Sequence, residues 1–131
     1  MSRPLSYAFC ALLFFGMVSL VIPTTAAPDS PRVLRHVVLF KFKADAAKDK
    51  VQAVVDAFGK LPKQIDVIKD FEMGTDNSPE MKSKGFTHCF VVTFADEKGR
   101  ETYLPHPAHK EFVKLLGPVL EDVLVVDYWS K

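Results

Sequence analysis

Four histidines and one tyrosine are the residues of this 131-residue chain best suited to proton chemistry. An imidazole has an unperturbed pKa of about 6.5, so it can exchange a proton near neutrality. A tyrosine hydroxyl can donate a hydrogen bond to an oxygen that gains negative charge. His36 and His88 each lie in an apolar segment, whereas Tyr103, His106 and His109 step by three residues within one short segment. On a helical turn, that spacing places neighbouring members on one side.

These residues allow three interpretations. In the first, His36 and His88 are hydrogen-bonded core residues, and His106 and His109 lie on the surface. In the second, the histidines bind a metal, but no carboxylate stands in a recognisable metal-binding motif, so we expect no metal site. In the third, the residues line a cavity in which one histidine exchanges a proton with a substrate, while the Tyr103 hydroxyl or a second histidine stabilises an oxyanion.

Alternation of apolar and polar residues predicts four strands. They are Leu34–Phe42, Val67–Gly74, Thr87–Phe94 and Val123–Trp129, with a polar turn region at Thr75–Gly85. The third strand is rich in β-branched and aromatic residues, which suits a half-buried pleated surface.

Apolar residues at three- and four-residue spacing predict the helices. The first covers Asp45–Leu61, and the second begins as Asp96–Leu104, is interrupted by Pro105 and Pro107, and resumes at His109–Leu116. The order is therefore β-α-β-β-α-β. It predicts an α+β, ferredoxin-like fold with an antiparallel sheet and both helices on one face.

Residues two apart on a strand share one face of the sheet, so His36 and His88 each lie on an otherwise apolar face of their own strand. Both apolar faces are expected on the same side of the sheet, beneath the second helix. The other face must also be covered, because the first strand is apolar on both sides and a large exposed apolar patch marks an interface. Two sheets packed face to face about a two-fold axis would cover it, which predicts a homodimer. The pocket we expect on the helix side is small and apolar and is lined by His36, His88, His106, His109, Tyr103, Val38, Phe40 and Phe90.

The first 27 residues have the features of a secretory signal peptide. Arg3 supplies a basic start, Ala8–Ile22 is an uncharged run, and small residues follow up to Ala27. Cleavage after Ala26 or Ala27 would yield a secreted or periplasmic protein with no membrane attachment. An uncleaved membrane anchor is the alternative, because the apolar run is close to the length that spans a bilayer.

The domain boundaries follow from this interpretation. Residues 28–32 form a short lead-in, and residues 33–131 form one domain, since a chain of this length has room for only one. Without Arg3, the 17 basic residues become 16 and match the 16 acidic ones. A neutral chain without a basic run is a poor nucleic-acid binder. The sequence also lacks a paired-Cys metal motif and a Gly-rich phosphate loop, and we expect no cofactor.

Four segments together resemble the stress-response A/B barrel (Dabb) domain family. They are residues 34–43 (LRHVVLFKFK), 85–88 (GFTH), 103–112 (YLPHPAHKEF) and 125–128 (VVDY), and the resemblance covers about residues 33 to 129. It implies a dimeric α+β barrel, in agreement with the argument from the apolar sheet face. Other ferredoxin-like dimers, such as the antibiotic-biosynthesis monooxygenase family, are an alternative at the level of the fold.

The resemblance also implies roles for individual residues. A plant cyclase of the family uses a histidine base supported by a tyrosine, and by motif position these would be His109 and Tyr103. We therefore carry two hypotheses. The protein is a binding module for a small apolar, carbonyl or phenolic molecule, or it is a cofactor-independent cyclase or isomerase-like enzyme with His109 as general base and Tyr103 as hydrogen-bond donor.

Overall fold

A computed structural model describes residues 31–131, so the predicted signal peptide lies outside the described residues. Four strands form one sheet, and three α-helices and a short 3-10 turn at Leu61–Lys63 connect them. The strands are β1 (Leu34–Phe42), β2 (Ile68–Thr75), β3 (His88–Phe94) and β4 (Leu120–Trp129). The helices are α1 (Lys48–Lys60), α2 (Glu97–Tyr103) and α3 (Pro107–Leu116).

The strand order is β2-β3-β1-β4, and every neighbouring pair is antiparallel. This arrangement confirms the predicted ferredoxin-like α+β fold. Strand β1 lies inside the sheet, whereas β2 and β4 form its edges.

Several boundaries differ from the sequence-based expectation, and two of them differ by three residues. Helix α1 begins at Lys48 rather than Asp45. Strand β4 begins at Leu120 rather than Val123, because Leu120 pairs with Phe42 after an irregularity in the ladder. Backbone pairing with another strand cannot be read from side-chain alternation.

The second helix is two separate helices. Helix α2 ends at Tyr103, and α3 begins at Pro107, where the missing N–H of proline removes no helical hydrogen bond. His106 is the N-terminal cap of α3, since its Nδ1 accepts a hydrogen bond from the Ala108 N–H at 3.2 Å. The chain therefore turns between Tyr103 and His109.

The hydrophobic core lies between the sheet and the helices. Phenylalanine rings fill its centre: the Phe58 ring centroid of α1 lies 4.4 Å from that of Phe90 and 4.5 Å from that of Phe112. Phe112 of α3 also contacts Phe40 of β1, at 6.3 Å between centroids. Helices α1 and α3 thus pack over β1 and β3. Among residues 31–131, no helix is long and apolar enough to cross a bilayer.

Candidate functional site

Asp127 of β4 orients His36 of β1. The two residues are direct partners in the sheet, and Nδ1 of His36 lies 2.7 Å from Oδ1 of Asp127. The other carboxylate oxygen, Oδ2, accepts a hydrogen bond from Nη1 of Arg100 on α2 at 2.6 Å. Because an ionised carboxylate only accepts, Nδ1 of His36 must carry the proton. Nε2 of a neutral His36 is then an acceptor.

The carboxyl group of Asp127 is held in its ionised form. Burial acts to raise its pKa, but the hydrogen bonds from Arg100 and His36, together with their charges, outweigh that effect and lower it. Asp127 is therefore an anion at neutral pH, which is the state that fixes the ring of His36.

Tyr103 lies between two imidazoles. Its ring centroid is 5.9 Å from that of His36, in an edge-on arrangement, and 4.3 Å from that of His109. The residue is 1% exposed. Burial raises the pKa of the Tyr103 hydroxyl, so it stays protonated across the physiological range and can donate a hydrogen bond.

The imidazole ring of His109 is neutral and held in one orientation. Its Nδ1 lies 2.9 Å from the backbone oxygen of Leu104, and since a carbonyl only accepts, Nδ1 carries the proton and Nε2 keeps its lone pair. Burial lowers the pKa of His109, and the neighbouring His36 and His106 lower it further, against the opposing effect of the Leu104 carbonyl. The ring is therefore unprotonated at neutral pH.

His88 lies on the same sheet face as His36, as expected, but in different surroundings. It pairs with Phe40, four residues along β1 from His36, which corresponds to about 13 Å along the strand. Its Nδ1 is 2.8 Å from the Thr87 hydroxyl, and its ring meets Phe42 at 5.0 Å. Burial lowers its pKa.

The structure therefore divides the set of residues expected to line one pocket. His36, Tyr103 and His109 come together, and we call them the His–Tyr–His site. His88 and Phe90 instead border a cavity of about 240 Å³ beside α1. His106 caps α3, and Val38 and Phe40 are buried in the hydrophobic core, because they lie beneath the helices in the middle of the sheet.

Two residues essential to the geometry were missed from the sequence, Asp127 and Arg100. A signal for Asp127 was present, since it is the only acid in the apolar run from Val123 to Tyr128 and shares a face with Val125. Arg100 had no such signal, because its role depends on where α2 lies above β4.

An apolar surface leads to the His–Tyr–His site along β4. Val123 and Val125 pair with Phe40 and Val38, so they face the helix side of the sheet, but they are 43% and 51% exposed. Helices α1 and α3 cover the middle of the sheet and leave this edge open. We call these two residues the β4 strip; it ends at Asp127.

Within the described part of the chain, no three His, Cys, Asp or Glu side chains converge in a way that could hold an ion. The side chains of the His–Tyr–His site offer proton acceptance at His109 and hydrogen-bond donation by Tyr103.

Sequence comparisons identify relatives of this chain. The family model of the Stress responsive A/B Barrel Domain matches residues 34–130. The stress-response A/B barrel domain-containing protein HS1 of Arabidopsis thaliana is 35% identical over 72% of this chain and 87% of its own length. The olivetolic acid cyclase of Cannabis sativa is 28% identical over 72% of this chain and 94% of its own length.

Solved structures share the fold. A hydroxynitrile lyase from Passiflora edulis superposes with a TM-score of 0.71 at 25% identity, over 78% of this chain and 96% of that one. A dimeric ferredoxin-like protein from Thermobifida fusca superposes with a TM-score of 0.64 at 27% identity, over 74% and 90%. The relatives thus include two proteins named as enzymes and one described as a dimer.

Proposed function

The chain belongs to the stress-responsive A/B barrel domain family, and on this basis we propose that it is an exported homodimer that binds a small carbonyl or phenolic molecule at the His–Tyr–His site. The observation that carries the proposal is the position of Tyr103. Its protonated side chain lies between His36 and His109, both of which have a fixed proton on Nδ1.

The polar groups of the site suit an oxygen-bearing ligand. Tyr103 can donate to a carbonyl oxygen, and Nε2 of His109 can accept from a phenol. The β4 strip offers exposed apolar surface beside these groups for the hydrocarbon part of the ligand. Ligand sites commonly combine an apolar wall with a few placed polar groups.

A second candidate function is proton transfer, and the tautomer of His109 favours it. Nε2 of His109 would remove a proton from a carbon next to a carbonyl group. The electron pair of the broken C–H bond would form a C=C bond, and the π pair of the C=O bond would move to the oxygen. The Tyr103 hydroxyl would stabilise the resulting enolate by a hydrogen bond. Such a step requires no cofactor. The enzymes olivetolic acid cyclase and hydroxynitrile lyase among the similar proteins support a chemical role for this fold.

Export and dimerisation are parts of the same proposal. Export is supported by the signal-like residues 1–27. Dimerisation is supported by the apolar sheet face opposite the helices, where Leu124, Val126 and Tyr128 are exposed, and by the dimeric Thermobifida fusca structure.

Binding is tested by a proton NMR titration of the four imidazoles with 4-hydroxybenzaldehyde, which carries both a carbonyl and a phenol, and with toluene as an apolar control. We expect the His36 and His109 signals to shift together while the His88 signal stays unchanged. The His88→Ala variant should bind equally well. If no imidazole responds, or if only His88 responds, the His–Tyr–His site is not the binding site.

Proton transfer is tested separately by deuterium exchange into the methyl group of acetophenone in D₂O. We expect the wild-type chain to accelerate the exchange, His109→Ala to abolish the acceleration, and His88→Ala to retain it. A chain that binds 4-hydroxybenzaldehyde but leaves the exchange rate at the buffer value is a binding module, and the enzymatic candidate is then wrong.

A further inference from the structure

The backbone carbonyl of Leu104 keeps the proton of His109 on Nδ1, so the state of the His–Tyr–His site depends on that oxygen being free to accept. In a continuous helix, each backbone C=O accepts from the N–H four residues later. For Leu104 that partner is Ala108, which does have an N–H. A helical bond between them would compete with the His109 ring for the oxygen.

The two prolines of the turn, Pro105 and Pro107, do not explain why this carbonyl is free. Each lacks an N–H, which removes the helical partner of the carbonyl four residues earlier. Those carbonyls belong to Glu101 and Tyr103, not to Leu104. Another group therefore has to take up the N–H that would compete with His109.

The imidazole of His106 takes up that N–H. Its Nδ1 accepts from the Ala108 N–H at 3.2 Å, while its backbone oxygen accepts from the Lys110 N–H at 3.0 Å. The backbone of His106 has φ −59° and ψ 136°, which is the extended conformation of a residue just before a helix. His109 is the third residue of the same helix, α3. The cap and the proposed base thus share one turn.

We infer that His106 is a positioning residue for His109, because its imidazole withholds the Ala108 N–H from the carbonyl that fixes the tautomer of His109. The inference rests on the role proposed for His109 in the His–Tyr–His site. The hydrogen bond made by one ring nitrogen sets the tautomer of an imidazole. The Leu104 carbonyl selects the Nδ1–H form and leaves Nε2 of His109 as an acceptor, and His106 acts through that carbonyl alone.

The arrangement gives the two imidazoles opposite tautomers. Nδ1 of His106 accepts a hydrogen bond, so the proton of its neutral ring is on Nε2. Nδ1 of His109 donates, so the proton of that ring is on Nδ1. Free in water, both rings would favour the same tautomer. The difference between them is therefore a signature of the two hydrogen bonds.

An imidazole cap also suits a neutral His109. Ser, Thr, Asp and Asn are the preferred residues at this helix position. A capping carboxylate beside His109 would favour the protonated ring, which has no lone pair on Nε2. His106 supplies the acceptor without a negative charge. Burial lowers the pKa of His109, and the neighbouring imidazoles of His36 and His106 act in the same direction.

The test is nitrogen-15 NMR of the imidazole rings, because the nitrogen chemical shifts show which ring nitrogen carries the proton. At neutral pH we expect the proton of His109 on Nδ1 and that of His106 on Nε2. His106→Ala should convert His109 into a mixture of both tautomers. His106→Asn keeps a capping acceptor and should retain the Nδ1–H form. A proton on Nδ1 of His106 in the wild-type chain, or an unchanged His109 spectrum in His106→Ala, overturns the inference.

Asp96→Ala is the matched control for the loss of a helix cap. Asp96 caps α2 by accepting from the Gly99 N–H at 2.9 Å, at the opposite end of that helix from Leu104. It should leave the His109 tautomer unchanged. An equal disturbance in Asp96→Ala and His106→Ala would mean a general loss of order and would refute the inference. If His106→Ala does not fold, His106→Gly replaces it, because glycine also lacks an acceptor but costs less at a cap.

Deuterium exchange into acetophenone separates this inference from the proposed proton transfer. His106→Ala should reduce the acceleration about tenfold to a hundredfold by misplacing the base, and His106→Asn should restore most of it. A wild-type chain without acceleration refutes the proton transfer, whereas the tautomers still decide the inference. A His106→Ala chain with mixed tautomers but full acceleration would overturn the positioning role of His106.

Discussion

The two ends of the helix-facing side of the sheet each carry a histidine, yet only one end assembles a site. His36 is held by Asp127 from β4, which is bound in turn by Arg100 from α2, and its ring meets Tyr103. His88 is bonded to its own chain neighbour Thr87 and packs against Phe42. A histidine on an apolar strand is thus not informative alone. Partners from distant parts of the chain distinguish a positioned group from a local one.

Removing the aromatic neighbour of each histidine should give the largest difference in the free energy of unfolding between the two ends. Tyr103→Ala should lower the free energy of unfolding by about 3–5 kcal/mol, because it removes a fully buried ring next to His36. The corresponding change beside His88 is Phe42→Ala. It should lower the free energy of unfolding by less, since Phe42 is only partly buried. Urea denaturation followed by circular dichroism measures both. Equal losses would mean that the two ends are packed alike. Tyr103→Phe keeps the ring and isolates the hydroxyl.

Removing the hydrogen-bond partner of each histidine should give the next largest difference in the free energy of unfolding. Asp127→Ala should cost about 1–3 kcal/mol, since it leaves the buried His36 without its partner. Thr87→Ala should cost less than about 0.5 kcal/mol, because Thr87 is exposed. The same denaturation experiment compares them. If Thr87→Ala were the more damaging change, His88 would be the better-held histidine and the comparison would be reversed.

Removing the cation above Asp127 should have a smaller effect on stability. Arg100→Met takes away a hydrogen bond and a charge that lower the pKa of Asp127, so that pKa should rise, as carbon-13 NMR of the carboxyl group can show. The loss of stability should stay below about 1 kcal/mol, because the pair is partly exposed. Lys41→Met is the control. It breaks the 2.6 Å ion pair with Glu121 far from the site and should leave the Asp127 titration in place.

The smallest expected effect is on the pH dependence of stability. The pKa values of His88 and His109 are both lowered by burial, so the folded chain binds protons less readily than the unfolded chain. Their contribution to stability is complete above the unfolded pKa of about 6.5 and is lost as pH falls through the lowered folded value. His88→Gln and His109→Gln should each flatten the decline in the urea midpoint between pH 7 and 5. A decline that neither variant alters would show that other groups cause it.

The sequence predicted the elements well where side-chain pattern decides them. The alternation in β1 and β3 gave the shared face of His36 and His88, and the helical spacing gave the inner side of α1. The sequence-based prediction was wrong where pairing between distant strands decides the boundary of an element. The early start of β4 depends on its pairing with Phe42, whereas the break between α2 and α3 was predicted from Pro105 and Pro107.

The candidate site was predicted in part for the same reason. The motif brought Tyr103 and His109 into consideration, and they are in contact. It also grouped them with His88, because residues that share a face look equivalent in sequence even when they are separated along the strands. Asp127 and Arg100 were missed because neither belongs to the Tyr103–His109 segment, although Asp127 lies in the resembling segment 125–128.

The sequence by itself determined the kinds of groups available, the order of the elements and the face on which each strand residue lies, because these follow from local spacing and residue chemistry. Only the tertiary structure decided which groups meet. The antiparallel pairing of β1 with β4 places Asp127 beside His36, and the turn before α3 lays His109 on Tyr103. Contacts between residues as far as 91 positions apart depend on chain topology, and only the folded backbone fixes them.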